Sequence, residues 1–414
     1  MGSEKQLYFA CGPRGTWLGS AVVTVGDAAT TFNFNFNFNF NFNFYTTMRR
    51  ARWLAPWKDS AERPVIYHCI TRVVERRLAF GQKEKEQFRT YLRMYEDFSG
   101  CRVLAYCLMS NHVHLLLEVP PLAEGGLSDA ELLRRLRAIY TEAAVGVVAK
   151  ELAELRQQVR DGLADESLVR ELHGRYTYRM HDLGEFMKTL LLRFSRWFNS
   201  RYERAGALWE SRFKSVLVED GLAARTMAAY IDLNPVRAGM VIDPADYRWS
   251  SYGEAMGGGA RGNGRKARAG LVRALMAHKG YEADARHWAG EVSKGYRMLL
   301  LAEGAEKLQE VVSEGGGRQV KVVRKGMRKG DVEAELAQLE RSRDVALSRM
   351  LRCRVRYFTD GAVLGSRGFV DEVFTRCRER FGTTRKDGAR KLRGSGAAAA
   401  GRLWSVRDLR LRIS

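Results

Sequence analysis

The apolar residues in the first half of the chain change from an extended pattern to a helical one and back. Residues 65–74 (VIYHCITRVV) are rich in β-branched side chains and predict a strand, whereas residues 82–98 carry apolar side chains at helical spacing. Residues 101–109 predict a second strand, and a tight turn at residues 110–111 leads into a third, residues 112–119. A strand, a helix and a hairpin in this order are typical of an α+β fold with an antiparallel sheet.

Further elements follow after a charged segment. Residues 122–180 are charged and helical in character, which predicts a helical insertion, and residues 181–204 form a strongly amphipathic helix. Residues 212–218 predict a fourth strand and residues 223–233 a further helix. Because Pro235 disfavours the helical conformation of the residue before it, that helix should end there.

Low-complexity sequence precedes a main domain that we place at residues 48–256. Residues 32–44 read FNFNFNFNFNFNF, an alternation that is prone to β-aggregation when it is exposed. We predict that residues 1–47 are a dispensable extension, either disordered or spurious. A true start of the protein at Met48 is a hypothesis that fits this interpretation.

The remainder of the chain is divided by glycine-rich stretches. Residues 257–270 (GGGARGNGRKARAG) predict a basic, flexible linker, and residues 271–414 a mostly helical region. Within that region a charged helix is predicted over residues 332–356, and Ser366 is a candidate N-cap of another helix after a glycine-containing turn. These helices could form a helix-turn-helix-like DNA-binding element or a plain helical hairpin with a basic tail, and the sequence leaves both open.

Composition favours a polyanionic partner. The 414 residues include 69 Lys and Arg against 48 Asp and Glu, a formal net charge of +21. Neutralising phosphates releases counterions, so nucleic acid is the leading candidate. The six cysteines form no C-x-x-C pair, which argues against a zinc knuckle and a disulfide framework. No apolar run approaches the roughly 20 residues of a membrane span, and no signal peptide is visible, so we expect a cytoplasmic protein without a membrane partner.

Two pairs of residues are candidates for site chemistry. His112 and His114 are separated by one residue along a predicted strand. Because residues i and i+2 of a strand point to the same side, both imidazoles should lie on one face of the sheet. They form either a metal site or a pair in which one ring packs and the other is solvated. Tyr230 and Asn234 stand four apart and therefore share one face of a helix, although such a tyrosine taken alone is more often a core residue.

Five motifs follow one another in order along residues 49–258: VIYHCITR, MSNHVHLLL, RFKSVLVEDG, AAYIDLNPVRAGMV and DYRWSSYG. In this order they resemble the single-tyrosine HUH transposases of bacterial insertion sequences, and most closely the REP-associated tyrosine transposases. The resemblance implies a ferredoxin-like antiparallel sheet with helices on one face. In that fold the sheet carries both histidines, and a nearby helix presents the tyrosine.

The resemblance also implies an activity, which is cleavage of single-stranded DNA beside an imperfect hairpin. By this resemblance Tyr230 is the nucleophile, His112 and His114 are metal ligands, and Asn234 is the third ligand. Attack by the phenol would link the 5′ phosphate to Tyr230 and release a 3′ hydroxyl. The cofactor is expected to be Mg²⁺ or Mn²⁺, and the choice stays open because imidazole suits Mn²⁺ better whereas Mg²⁺ prefers oxygen ligands.

Basic and aromatic residues beside the motifs are candidates for holding the DNA. Single-strand binders commonly combine basic grooves with aromatic rings on which bases stack. For each tryptophan near the motifs, core packing is the alternative. His68 could face the site from the first strand, but we expect a packing role for it. The candidate DNA-binding residues are Arg72, Arg212, Lys214 and Arg237.

Two other functional classes stay open at this point. A catalytically silent DNA-binding protein derived from a transposase would keep the charge but could lose His112, His114 or Tyr230, all of which are present. A metal-dependent hydrolase of the amidohydrolase type also begins with H-x-H on a strand, but it needs further ligands on later strands of a parallel barrel. The sequence does not distinguish a monomer from a homodimer, or self-mobilisation from processing of chromosomal repeats.

Overall fold

The computed structural model describes most of the chain from residue 53 onward. Side chains and backbone are described for residues 53–59, 63–121, 125–257, 263–276, 285–290, 292–301, 326–328, 330–334, 358–359, 361–381, 383, 385–392 and 403–406. The backbone alone is described for residues 5–11, 17–25, 28–35, 291, 302–304, 307–312, 318–324, 356–357 and 407.

Contacts divide the chain into two units, Met1–Ala51 and Arg52–Ser414. The first unit contains a three-stranded antiparallel sheet in the order β1-β2-β3, formed by β1 (Lys5–Cys11), β2 (Trp17–Val25) and β3 (Ala28–Asn35). The phenylalanine–asparagine repeat enters β3, and residues 36–44 of it lie outside the described residues. Three strands lie in the segment that the sequence predicted to be a disordered or spurious extension, and it stays a prediction that residues 1–47 are spurious or dispensable.

The second unit is an α+β structure, as the sequence predicted. Its strands are β4 (Val65–Arg72), β5 (Arg102–Leu108), β6 (His112–Val119), β7 (Lys214–Val218), β8 (Lys307–Val312), β9 (Arg318–Arg324), β10 (Gly361–Gly365), β11 (Arg390–Lys391) and β12 (Trp404–Arg407). Its helices are α1 (Gln82–Ser99), α2 (Asp129–Leu136), α3 (Glu142–Arg160), α4 (Glu166–Thr177), α5 (Leu183–Arg201), α6 (Leu222–Asp232), α7 (Asn234–Arg237), α8 (Ser251–Gly257), α9 (Asn263–Leu275), α10 (Glu291–Gly304), α11 (Arg356–Thr359) and α12 (Arg367–Arg376).

The first half of this unit has the ferredoxin-like arrangement. The elements follow one another as β4-α1-β5-β6-α5-β7, with α2, α3 and α4 inserted before α5. In the sheet these four strands lie in the order β7-β4-β6-β5, and every neighbouring pair among them is antiparallel. This is the split β-α-β topology of ferredoxin-like domains, so the predicted sheet and helical insertion are confirmed.

The sheet continues beyond β7 into the C-terminal region. Strand β10 pairs with β7 in parallel, and β12 and β11 follow in antiparallel fashion, which gives a mixed sheet of seven strands. The glycine turn expected before Ser366 is thus strand β10, so the short turn that both the helix-turn-helix and the helical hairpin require is not formed there. A short apolar run between glycines fits a buried strand as well as a turn. Of the charged helix predicted over residues 332–356, residues 335–355 lie outside the described residues. The predicted N-cap is confirmed, since the Ser366 side chain accepts a hydrogen bond from the Phe369 amide at 3.2 Å.

Helices cover both faces of the sheet, which corrects the expectation of helices on one face. Helices α1 and α5 pack on one face with Tyr67 and Leu115, and helices α6 and α9 pack on the other with Ile66 and Leu116. The reason is visible in β6, where seven of the eight residues are buried. Such a strand is apolar on both faces and needs a cover on each.

Helix α9 occupies much of the segment predicted to be a flexible linker. It spans Asn263–Leu275, and its residues Ala267 and Leu271 are buried in the core beneath the sheet. A Cβ atom at Gly270 would lie 2.2 Å from the Val103 carbonyl oxygen, so the helix approaches β5 closely there. The linker prediction is therefore wrong for these residues, because glycine serves close packing here instead of chain flexibility.

Among the described residues, none of the helices combines the length and the apolar character that a membrane-spanning helix requires.

The packing of α9 predicts the effect of two matched glycine substitutions. Gly270→Ala should lower the free energy of unfolding by about 1–3 kcal/mol, because the new methyl group overlaps backbone atoms. Gly295→Ala, in α10 with no atom within 4 Å of the added Cβ, should be neutral or stabilising by up to about 1 kcal/mol. Denaturant unfolding of both variants measures this difference, and equal stabilities would contradict the close approach of α9 to β5.

Candidate active site

The register of three strands places the two histidines of the H-x-H motif in a common surface. His112 of β6 lies opposite Arg72 of β4, and His114 lies opposite Ile70. Ile70 in turn lies opposite Lys214 of β7. Because alternate residues of a strand point to the same side, all these side chains belong to the sheet face that α6 covers.

Helix α6 brings the candidate nucleophile to this face. The helix begins after Gly221 and ends at Asp232, with Leu233 as its C-cap, so it stops before the Asn234-Pro235 dipeptide as predicted; that dipeptide begins the short helix α7. Tyr230 lies in its last turn, and its ring centroid is 5.9 Å from that of His114. The rings of His112 and His114 are 5.0 Å apart. Residues from distant parts of the sequence thus meet in one cluster.

A third histidine, His68, belongs to this cluster, although the sequence favoured a packing role over a position that faces the site. Its ring is fully buried and lies 6.0 Å from the ring of Tyr230. Nε2 of His68 is 3.0 Å from Nδ1 of His114, and Nδ1 of His68 is 2.8 Å from the Phe358 carbonyl oxygen. A signal was available in the sequence, because His68 and Arg72 share one face of β4 with the H-x-H motif opposite.

Burial keeps the three imidazoles neutral. It lowers the pKa of His68 to about 4. Burial, helped by the Arg72 guanidinium, lowers the pKa of His112 to about 4 as well. Burial and the neighbouring His68 hold the pKa of His114 well below its usual range. Each ring therefore keeps a lone pair at neutral pH, which is the state that binds metals.

The donor atoms of the predicted ligands are of the types that divalent cations bind. Nδ1 of His112 lies 2.6 Å from the Asn111 side-chain oxygen, and Nδ1 of His114 faces His68, so each ring has its Nε2 left for a cation. The Asn234 amide nitrogen donates to the carbonyls of Tyr230 at 3.1 Å and Ile231 at 3.2 Å, which leaves its oxygen as a donor atom. Two imidazoles and an amide oxygen suit Mn²⁺ and also accommodate Mg²⁺.

The described residues contain no group of three or more His, Cys, Asp and Glu that could hold a metal ion. A set of two histidines and one amide is not such a group, so this result leaves the predicted set in place. The strand order is linear and largely antiparallel, which differs from the parallel barrel that the amidohydrolase alternative requires.

Tyr230 is held tightly in its position. Its side chain is 2% exposed, and the ring stacks on Phe358 at 4.6 Å. The Arg237 guanidinium lies 4.9 Å from the ring centroid and donates to the Tyr230 carbonyl at 3.3 Å. Burial is what a core tyrosine also shows, and the Arg237 guanidinium over the ring makes a cation–π contact with it.

The other predicted DNA-binding residues divide into two groups. Arg72 and Arg237 lie within the cluster, where both act on the pKa of His114. Lys214 is exposed and lies in the same row of the sheet, and Arg212 is exposed just before β7. Of the tryptophans, Trp209 lies 5.9 Å from Phe194 and packs in the core on the opposite face, as the alternative interpretation proposed.

Comparisons with known proteins address the same region. One similar solved structure is described as "Structure of the REP associates tyrosine transposase bound to a REP hairpin", with 11% identity and a TM-score of 0.30 over 57% of this chain and 94% of that chain. No curated protein matches the chain. Residues 63–126 match the family model "Transposase IS200 like", a stretch that includes His112 and His114 but not Tyr230. For these residues the predicted resemblance to IS200-like transposases is confirmed.

Proposed function

We propose that this protein is a metal-dependent endonuclease and strand transferase that cuts single-stranded DNA through a 5′-phosphotyrosine intermediate. The observation that carries the proposal is the position of Tyr230, whose ring lies 5.9 Å from that of His114 on the covered face of an IS200-like domain. The five motifs support a substrate with hairpins, either at insertion-sequence ends or in repetitive extragenic DNA. Tyr230 lies outside the family match, so its role rests on this geometry and on the motif AAYIDLNPVRAG.

The reaction assigns a role to each group of the site. His112, His114 and Asn234 would hold a Mg²⁺ or Mn²⁺ ion, which would supply charge neutralisation at the scissile phosphate. The Tyr230 oxygen attacks phosphorus in line and loses its proton, so a bond to the 5′ phosphate forms while the bond to the 3′ oxygen breaks. The 3′ oxygen takes up a proton and leaves as a hydroxyl. Because the phosphotyrosine keeps the bond energy, a 3′ hydroxyl can reverse the step without ATP.

Arg237 and Arg72 assist this reaction through charge. The Arg237 guanidinium, 4.9 Å from the Tyr230 ring centroid, places positive charge beside the attacking group. Arg72 lies opposite His112 and adds positive charge where a phosphate would lie. Arg212 and Lys214 extend the positive surface along β7 and bind the DNA backbone.

A second candidate function is a catalytically silent DNA-binding protein derived from a transposase. The observation that favours it is the burial of Tyr230, which is only 2% exposed beneath Phe358. Both candidates bind DNA, so the two are distinguished by cleavage and by the covalent adduct.

Cleavage should require both histidines of the H-x-H motif. With a hairpin-bearing oligonucleotide from its own locus and Mn²⁺, the wild-type protein should nick the strand. His112→Ala and His114→Ala should be nearly inactive yet still bind the DNA, because each removes one metal ligand and leaves the basic side chains that hold the phosphates. His173→Ala, in the helical insertion, is the matched control and should cut normally. Cleavage by either His112→Ala or His114→Ala at the wild-type rate would exclude this metal site.

Tyr230→Phe should abolish cleavage and the covalent adduct together, because it removes the attacking oxygen and leaves the ring. The measurement is a denaturing gel of end-labelled DNA, with the adducted peptide identified by mass spectrometry. If Tyr230 were only a core residue, the loss of one hydrogen bond would cost about 0.5–1.5 kcal/mol of stability and spare activity.

Tyr247→Phe is the control for this experiment. It removes a buried hydroxyl that donates to the Leu108 carbonyl at 2.6 Å, so it should cost a similar stability and keep the adduct. An adduct on another tyrosine would show that Tyr230 is not the nucleophile. Cleavage without any adduct would exclude the phosphotyrosine mechanism and point to activated water.

DNA binding should weaken steeply with salt, and the basic residues beside β7 should contribute to that dependence. The double substitution of Arg212→Gln and Lys214→Gln should reduce the slope of log affinity against log salt by about 1 for each phosphate that the protein no longer neutralises. Lys150→Gln, an exposed lysine in the helical insertion, should leave the slope unchanged. Fluorescence anisotropy over a salt series measures the slope, and identical slopes for all three proteins would remove these residues from the DNA interface.

A further inference from the structure

Both ring nitrogens of His68 have hydrogen-bond partners, and these partners decide which nitrogen carries the proton. Nδ1 faces the Phe358 carbonyl oxygen at 2.8 Å, and a carbonyl oxygen can only accept a hydrogen bond. Nδ1 of His68 must therefore carry the proton. A neutral imidazole has one N–H, so Nε2 of His68 holds a lone pair and acts as an acceptor.

The position of the proton on His68 in turn fixes the tautomer of His114. Nε2 of His68 lies 3.0 Å from Nδ1 of His114, and this contact is a hydrogen bond only if Nδ1 of His114 donates. The proton of neutral His114 is then on Nδ1, and the lone pair is on Nε2. The order of donors and acceptors thus runs from His114 through His68 to the Phe358 carbonyl.

His112 has a comparable arrangement with a different partner. Its Nδ1 lies 2.6 Å from the side-chain oxygen of Asn111, which can only accept. The Asn111 amide nitrogen donates to the Arg76 carbonyl at 2.9 Å, and this bond fixes the orientation of the amide. Both histidines of the H-x-H motif therefore have the proton on Nδ1 and the lone pair on Nε2.

We propose that His68 is a positioning residue that holds His114 in its Nδ1–H tautomer, so that Nε2 of His114 is available to a divalent cation. The inference rests on the proposed metal site and adds a residue that the motif does not contain. Without an acceptor at Nδ1, the proton of His114 can move to Nε2, where it blocks the lone pair. Partners of this kind fix the tautomer and orientation of metal-binding histidines.

Metal affinity of the full-length protein tests the inference without DNA cleavage. Mn²⁺ binding, followed by electron paramagnetic resonance of the free ion, should weaken about 10- to 100-fold in His68→Leu. His68→Gln should keep most of the affinity, because its side-chain oxygen can accept from Nδ1 of His114. His173→Leu is the matched control and should bind Mn²⁺ like the wild type.

The tautomer itself is a second measurement that needs no variant. Nitrogen-15 NMR of histidine-labelled, metal-free wild-type protein should show the proton of His114 on Nδ1, and a proton on Nε2 would overturn the inference. Unchanged Mn²⁺ affinity in His68→Leu would also overturn it and leave the proposed metal site intact. If the wild type failed to bind Mn²⁺, both the proposed metal site and the proposed role of His68 would be wrong. If the wild type bound Mn²⁺ but formed no covalent adduct through Tyr230 in the cleavage assay, only the assignment of the nucleophile would be wrong.

Discussion

The pairing register of β4 with β6 is the constraint on which the candidate site depends. It sets His114 opposite Ile70 and His112 opposite Arg72, and it puts His68 on the same face. A slip of one residue would turn all of β4 over, because side chains alternate between faces. Arg72 and His68 would then point toward α1 and α5. Since both strands are buried on both faces, such a slip would also expose or misplace their apolar side chains.

The elements that cover this face of the sheet determine the protonation state of the histidines. Helix α6 and the segment around Phe358 exclude water from the imidazoles, and burial is the largest cause of their lowered pKa values. Buried polar rings are costly unless they are hydrogen-bonded, and the contacts to Asn111 and to the Phe358 carbonyl satisfy them. The same cover holds Tyr230 in place. Neutral, oriented side chains are the result, and they are what the proposed reaction requires.

The C-terminal region belongs to the structure that supports the site. Strand β10 extends the sheet beside β7, and α11 supplies the carbonyl that His68 contacts. Arg273 of α9 is buried and forms ion pairs with Glu118 of β6 at 2.6 Å and with Asp220 at 2.9 Å. Removing one partner of such a buried pair is strongly destabilising, because the other charge is left without compensation. Through this ion pair the C-terminal region stabilises β6, the strand that carries His112 and His114.

The sequence by itself determined the local elements and the residue types of the site. Alternation places His112 and His114 on one face of a strand, and the Asn234-Pro235 dipeptide marks the boundary after helix α6, which carries Tyr230, since both effects depend on neighbours along the chain. Only the tertiary structure decided that His68 contacts His114 and that Gly361–Gly365 is a strand of the sheet. Short apolar runs fit several structures. The structure that such a run adopts depends on packing against segments that lie far from it in the sequence.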